Sequence, residues 1–153
     1  MSHLTSVASQ LNILVSSSYR AIITDFGSAR VLDKSAERVV PEDRPSWSLR
    51  WASPETVNGA TTSLPGDIWS VGWVCWEIMT NQVPFPELNS EGLIVLTVIQ
   101  GKVPSTQEDA QLSQITGLCS LMTDCWKFDP NDRPSVGQCR NEVAWMVSCT
   151  PSW

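Results

Sequence analysis

Leu11–Gly27, LNILVSSSYRAIITDFG, is the stretch from which the rest of the chain can be read. Two short apolar runs, Ile13-Leu14-Val15 and Ala21-Ile22-Ile23, are rich in β-branched residues, which suit a pleated strand. Ser16-Ser17-Ser18 lies between them and reads as a turn, so the stretch predicts a β-hairpin. A hairpin brings its two ends side by side. Asn12, before the first run, and Asp25, after the second, therefore converge on one spot. An amide oxygen and a carboxylate facing each other suit a hard cation such as Mg²⁺, which takes oxygen ligands and shares them with phosphate. Gly27 then supplies backbone freedom where the chain must turn away.

Composition narrows the classes that remain. A chain of 153 residues is long enough for one domain with a substantial core. Its net charge of −6 and its ten scattered basic residues argue against a nucleic-acid or anionic-membrane surface. The five cysteines, Cys75, Cys119, Cys125, Cys139 and Cys149, are odd in number and contain no Cys-x-x-Cys pair. With His3 as the single histidine, a zinc site has little to draw on. Reduced thiols in an intracellular, cytoplasmic protein are the reading that follows. The first residues are polar and carry no signal-peptide core. The longest apolar stretch, Ile68 to Met79, includes Glu77 and is too short to span a bilayer.

Four helices are predicted downstream. Asp67 reads as the N-cap of the first, and its charge suits the positive helix end. From Ile68 to Met79 that helix is apolar all round, which requires burial on all sides, and Gly72 admits a close neighbour. Glu91 to Gln100 is the second, with Gly101 closing it. Ile115 to Trp126 is the third, and Val136 to Val147 the last. Residues 1–10 are Ser/Thr-rich and aperiodic and read as a flexible leader, and 148–153 as a tail. Ser28 to Trp51 is charged, broken by Pro41 and Pro45, and reads as a long surface loop.

These pieces, in this order, resemble the C-lobe of a protein kinase. Asp25-Phe26-Gly27 resembles the family's nucleotide-site motif, and Asn12 the asparagine that closes its catalytic loop. In the family this Asn and Asp hold the metal ions of ATP. Ser53-Pro54-Glu55 resembles Ala-Pro-Glu, and Leu49-Arg50-Trp51 the Arg-Trp before it in tyrosine-kinase-like kinases. Asp67-Ile68-Trp69-Ser70-Val71-Gly72 resembles the motif opening the central F helix, whose aspartate holds the catalytic loop. Cys125-Trp126 through Asp129-Pro130 to Arg133-Pro134 is the most specific match. The resemblance implies that Arg133 pairs with Glu55 in a fold-holding role. It makes residues 25–55 an activation segment with Ser35, Ser46 and Ser48 as possible phosphate acceptors, and residues 11–147 a partial kinase domain. The implied fold is mainly α, with one short hairpin and four to five helices.

The same comparison marks what departs from the family. Its catalytic Asp stands five residues before the metal-binding Asn, where this chain has Val7, a residue that cannot accept a proton. Thr5 and Ser6 occupy the places of the preceding His and Arg. The glycine-rich loop, the strand lysine and the adenine hinge have no counterpart in the 153 residues. The sequence therefore predicts a kinase-like protein, truncated and inactive as this chain, with Mg-ATP as the family's cofactor and only weak binding here. The alternative is a pseudokinase-type binding or regulatory module. Without the family's E helix, Trp69, Trp73 and Trp76 are expected to leave an apolar patch that self-association or a protein partner covers.

Overall fold

A computed structural model describes residues 3–5, 12–25, 30–32, 49–105 and 116–149. Its β-structure is two nested antiparallel pairs. The inner pair joins β2 (Ile13–Val15) to β3 (Ala21–Ile23) in the register Ile13 to Ile23, Leu14 to Ile22 and Val15 to Ala21. The turn is held by Tyr19 N–H donating to Ser16 O at 2.9 Å and Ser16 N–H to Arg20 O at 2.9 Å. Ser16 Oγ also accepts from Arg20 N–H at 3.0 Å, so the serine run acts through its hydroxyl as well as its backbone. Tyr19 closes the turn in the left-handed region, with φ 57°. The outer pair joins β1 (His3–Thr5) to β4 (Arg30–Leu32), His3 opposite Leu32. Part of the segment read as a leader is thus a strand. Three residues are too few to show an alternation, and their partner is distant in sequence.

Among the described residues five helices follow: α1 (Pro54–Val57), α2 (Leu64–Thr80), α3 (Glu91–Ile99), α4 (Thr116–Cys125) and α5 (Val136–Cys149). A 3₁₀ turn, Pro130–Asp132, links the last two. The fold is mainly α, with the short hairpin ahead of the helices, as the sequence predicts. The start of α2 differs from expectation. Its N-cap is Ser63, whose Oγ accepts from Gly66 N–H at 3.2 Å. Pro65 and Gly66 look like helix breakers, but proline is tolerated in a first turn, where its missing N–H has no partner to lose. Asp67 lies one turn inside, still at the positive end of the helix.

The main core is aromatic. Trp51, Trp69, Trp73, Trp76, Phe85 and Trp126 pack with Ile94, Val98, Cys119 and Met122. Trp73 is its centre, edge-on to Phe85 at 4.8 Å and to Trp76 at 5.7 Å, and tilted against Trp126 at 4.7 Å. Gly72 makes the α2–α4 approach possible, because a Cβ there would lie 2.6 Å from Trp126 Nε1. A second cluster joins Ile68, Leu121, Cys125 and Cys139 across α2, α4 and α5. The expected tryptophan patch is therefore absent: Trp69 and Trp73 are fully buried and Trp76 nearly so. Phe85, Met122 and Trp126 supply the cover. α2 is not buried on every side, however, since Ile78 is exposed.

α3 ends in a Schellman motif. Gly101 N–H donates to Val98 O at 2.8 Å and Lys102 N–H to Thr97 O at 3.2 Å. Gln100 is the cap, and Gly101 follows it at φ 64°. A Cβ on Gly101 would also meet the Phe128 ring at 2.5 Å. Gly101→Ala is expected to lower the urea-unfolding free energy by about 1–2 kcal/mol, the cost of a left-handed alanine, since the exposed ring of Phe128 can move aside. A variant as stable as the parent would show that the helix ends some other way.

Candidate active site

The hairpin register determines what stands next to Asn12. Beyond the Ile13–Ile23 pair, Thr24 N–H donates to Asn12 O at 2.8 Å, and Thr24 Oγ1 donates to the same oxygen at 3.3 Å. Asn12 is therefore opposite Thr24, and Asp25 is the next residue along. Asp25 is exposed and takes a left-handed backbone, φ 58°. Asp tolerates that region better than most residues, and such conformations cluster at functional sites. Asn12 and Asp25 thus stand beside each other at the open end of the hairpin, between the two nested strand pairs in chain order. An amide oxygen and a carboxylate are donor types that would suit Mg²⁺, which would take its other ligands from phosphate and water. Among the described residues no cluster of three or more His, Cys, Asp or Glu has the geometry to hold a metal. When bound, Mg-ATP would bring a transferable phosphoryl group, and the part of Asn12 and Asp25 would be to orient its metal. Val7, Phe26, Gly27, Ser35, Ser46 and Ser48 lie outside the described residues.

The motifs downstream hold the helical region together. Arg133 and Glu55 come together from opposite ends of the helical region. Nη1 lies 2.6 Å from Oε1, and Nη2 lies 2.9 Å from Oε2, a bidentate pair. Arg133 also donates to Pro65 O at 2.9 Å, Lys127 O at 2.8 Å and Phe128 O at 3.2 Å, so all five guanidinium N–H groups have acceptors. Its guanidinium carbon lies 5.1 Å from the Trp69 ring centre, a cation–π contact. The arginine side chain is fully buried, and that of Glu55 is about one-fifth exposed. Burial alone would raise the Glu55 pKa. The hydrogen bonds of Arg133, the Glu55 backbone N–H and Ser53, with the charge of Arg133, together outweigh it, and the carboxyl is held below its ordinary value.

Three polar residues at this scaffold had no structural role in the sequence reading. Glu77, in the last turn of the apolar α2, is buried and accepts from Trp51 Nε1 at 3.0 Å. Ser70 Oγ donates to Trp51 O at 2.9 Å. Together they fix the segment before Ser53-Pro54-Glu55 on α2. Arg50 binds the carbonyls of Pro84, Phe85 and Leu88, each at 2.7 Å, and so secures the loop from α2 to α3. The signal for Glu77 was present, because a carboxylate among buried apolar residues requires a donor. Ser53 is buried and donates to Thr56 Oγ1 at 2.9 Å. Among the described residues Cys75, Cys119, Cys125 and Cys139 form no disulfide. Burial pushes the Cys75 thiol up to about 11 and raises Cys125 and Cys139 as well, so none of these three is a thiolate nucleophile near neutral pH.

A hairpin with an Asn and an Asp at its open end, an aromatic central helix, and an Arg–Glu pair joining distant motifs together define the C-terminal part of a protein-kinase-type domain. The model of the protein tyrosine and serine/threonine kinase family matches residues 6–143, and the chain belongs to that family. It is 28% identical over 143 residues to the tyrosine-protein kinase HTK16 of Hydra vulgaris, covering 93% of this chain and 18% of that protein. It is 31% identical over 128 residues to ephrin type-A receptor 4-B of Xenopus laevis, and equally to ephrin type-A receptor 5 of Gallus gallus. Each match covers 83% of this chain and 12% of the receptor. The chain thus spans less than a fifth of the length of these relatives. Among the described residues no helix is long and apolar enough to cross a membrane.

Proposed function

We propose that this chain is a kinase-family scaffold that keeps the metal-binding positions but does not transfer phosphoryl groups by itself. The observation that carries the reading is Val7, which stands five residues before Asn12 where the family has its proton acceptor. Phosphoryl transfer depends on positioning and on charge stabilisation, and the acceptor hydroxyl must lose its proton. An isopropyl group cannot take it. Asn12 and Asp25 would orient a metal ion, and two protein ligands without a phosphate to share it should hold Mg²⁺ weakly. Asp25, Phe26 and Gly27 keep the family's cofactor-contacting sequence, so Mg-ATP is the nucleotide to test. The alternative is a pseudokinase-type binding or regulatory module. It is favoured by the contrast between Val7 and the intact Arg133–Glu55 pair, since a fold-holding contact is kept where the proton acceptor is not. An intracellular, cytoplasmic setting follows from cysteines without paired spacing.

The experiment is a phosphorylation assay of the chain with Mg-ATP and generic Ser/Thr and Tyr substrates, run beside Asp25→Ala. The expected result is no turnover above that of Asp25→Ala. Turnover that disappears in Asp25→Ala would overturn the proposal.

A further inference from the structure

A cavity of about 350 Å³ opens beside the aromatic core, between the end of α2, the α2–α3 loop and the residues that follow α3. Its volume lies at the small end of the range for ligand pockets, about 300–1,000 Å³. Trp73, Trp76 and Phe85 form its apolar wall. Phe85 sits there in the left-handed backbone region, φ 53°, which a bulky residue takes only under strain. Arg50 donates to the carbonyls of Pro84, Phe85 and Leu88 at 2.7 Å each and holds that conformation. Strained residues held by their surroundings cluster at ligand-contacting positions. The polar part of the lining includes Glu87 and Lys102, both exposed. Among the described residues neither is in an ion pair, with the other or with any other group. One cavity therefore carries an aromatic wall and two opposite charges that do not close on each other.

We propose that this cavity binds a small aromatic zwitterion, of the class of a free aromatic amino acid. The aromatic wall takes a flat ring, edge-on or offset. Lys102 takes the ligand's carboxylate and Glu87 its ammonium. Gln82 and Thr97, which also line the cavity, offer the head group further hydrogen-bond partners. Charge selects against other occupants. An anion alone would meet Lys102 but be repelled by Glu87, and a cation alone the reverse. A nucleotide would set several negative charges against one lysine, with a carboxylate beside it. A plain hydrocarbon would strip water from the polar side chains and give nothing in return. No hairpin residue lines the cavity, so the site is separate from Asn12 and Asp25. Binding there goes beyond the metal-binding reading and does not rest on it.

The probe is L-phenylalanine, titrated into the isotope-labelled chain and followed by NMR at the tryptophan indole N–H signals. Saturable shifts with a Kd of about 1 mM are expected for so small a ligand. Hydrocinnamate, which lacks the ammonium, and phenethylamine, which lacks the carboxylate, should each bind about threefold more weakly or worse. L-Alanine, which lacks the ring, should leave the signals in place. Lys102→Met should abolish the advantage of phenylalanine over phenethylamine, and Glu87→Gln its advantage over hydrocinnamate. Both side chains are exposed, so neither change removes a core contact. Lys127→Met alters net charge as Lys102→Met does but lies outside the cavity lining, and it should leave phenylalanine binding unchanged. The proposal is overturned by the absence of saturable shifts with phenylalanine, or by equal binding of L-alanine. Equal affinity for either single-charge analogue, or an unchanged preference in either cavity variant, would overturn it too.

Discussion

Replacing Arg133 by alanine should lower the unfolding free energy by about 3–5 kcal/mol, the usual cost of removing one partner from a buried ion pair. Against a domain stability of about 5–15 kcal/mol, that loss leaves a large unfolded fraction at moderate temperature. The size follows from what is stranded. Glu55 would lose its bidentate partner, and the carbonyls of Pro65, Lys127 and Phe128 would each lose a donor. Trp69 would lose the cation over its ring. Arg133→Lys restores the charge but not the planar fork, so it should recover only part of the stability. Urea unfolding followed by circular dichroism measures both. A lysine variant as stable as the parent would mean that charge alone, rather than the five-donor geometry, holds this junction.

The same pair gives the chain an acid-sensitive joint. The Glu55 carboxyl lies below its ordinary value of 4.5 in the folded state because Arg133, with hydrogen bonds from the Glu55 backbone and Ser53, outweighs the burial penalty. A group with a depressed folded pKa contributes stability in full above its unfolded pKa and loses it as pH falls through the folded value. The Arg133–Glu55 contribution is therefore present at neutral pH and fades in acid below about 4.5. In Glu55→Gln that component of the acid dependence should vanish, at the cost of lower stability at neutral pH. A Glu55→Gln chain that keeps the parent's full acid slope would place the titrating group elsewhere.

The hairpin was legible in the sequence because both signals it needs are local. β-branched runs flank a serine turn, and once the register is set Asn12 and Asp25 must come close. The Arg133–Glu55 pair was legible for a different reason. No local rule joins residues so far apart, and only the motif resemblance linked them. The start of α2 was misplaced because Pro65 and Gly66 resemble a stop, while the cap that makes them tolerable is one hydroxyl, that of Ser63. The tryptophans were misjudged because exposure depends on what packs across, and Phe85, Met122 and Trp126 come from other elements. The sequence offered no comparable warning for α3. Its apolar pattern is that of a buried helix, and only the fold shows that the outer half stays open.

The tryptophan at the centre of the core provides a test of how this fold is held. Trp73→Ala should cost about 3–5 kcal/mol, as large aromatic-to-alanine changes in cores do. Trp73 is fully buried and touches Trp76, Phe85 and Trp126, so its loss opens a cavity between α2, α4 and the α2–α3 loop. Trp73→Phe should cost much less, for a reason beyond volume. Among the described residues the buried Nε1 of Trp73 finds no hydrogen-bond acceptor, and neither do those of Trp69 and Trp126. A buried donor without a partner costs about 1–3 kcal/mol, and phenylalanine removes it. Part of the lost packing is therefore offset. Equilibrium unfolding of the two variants separates the terms. If phenylalanine costs as much as alanine, the indole N–H is contributing a favourable contact, for which the edge-on aromatic faces around it are the available acceptors.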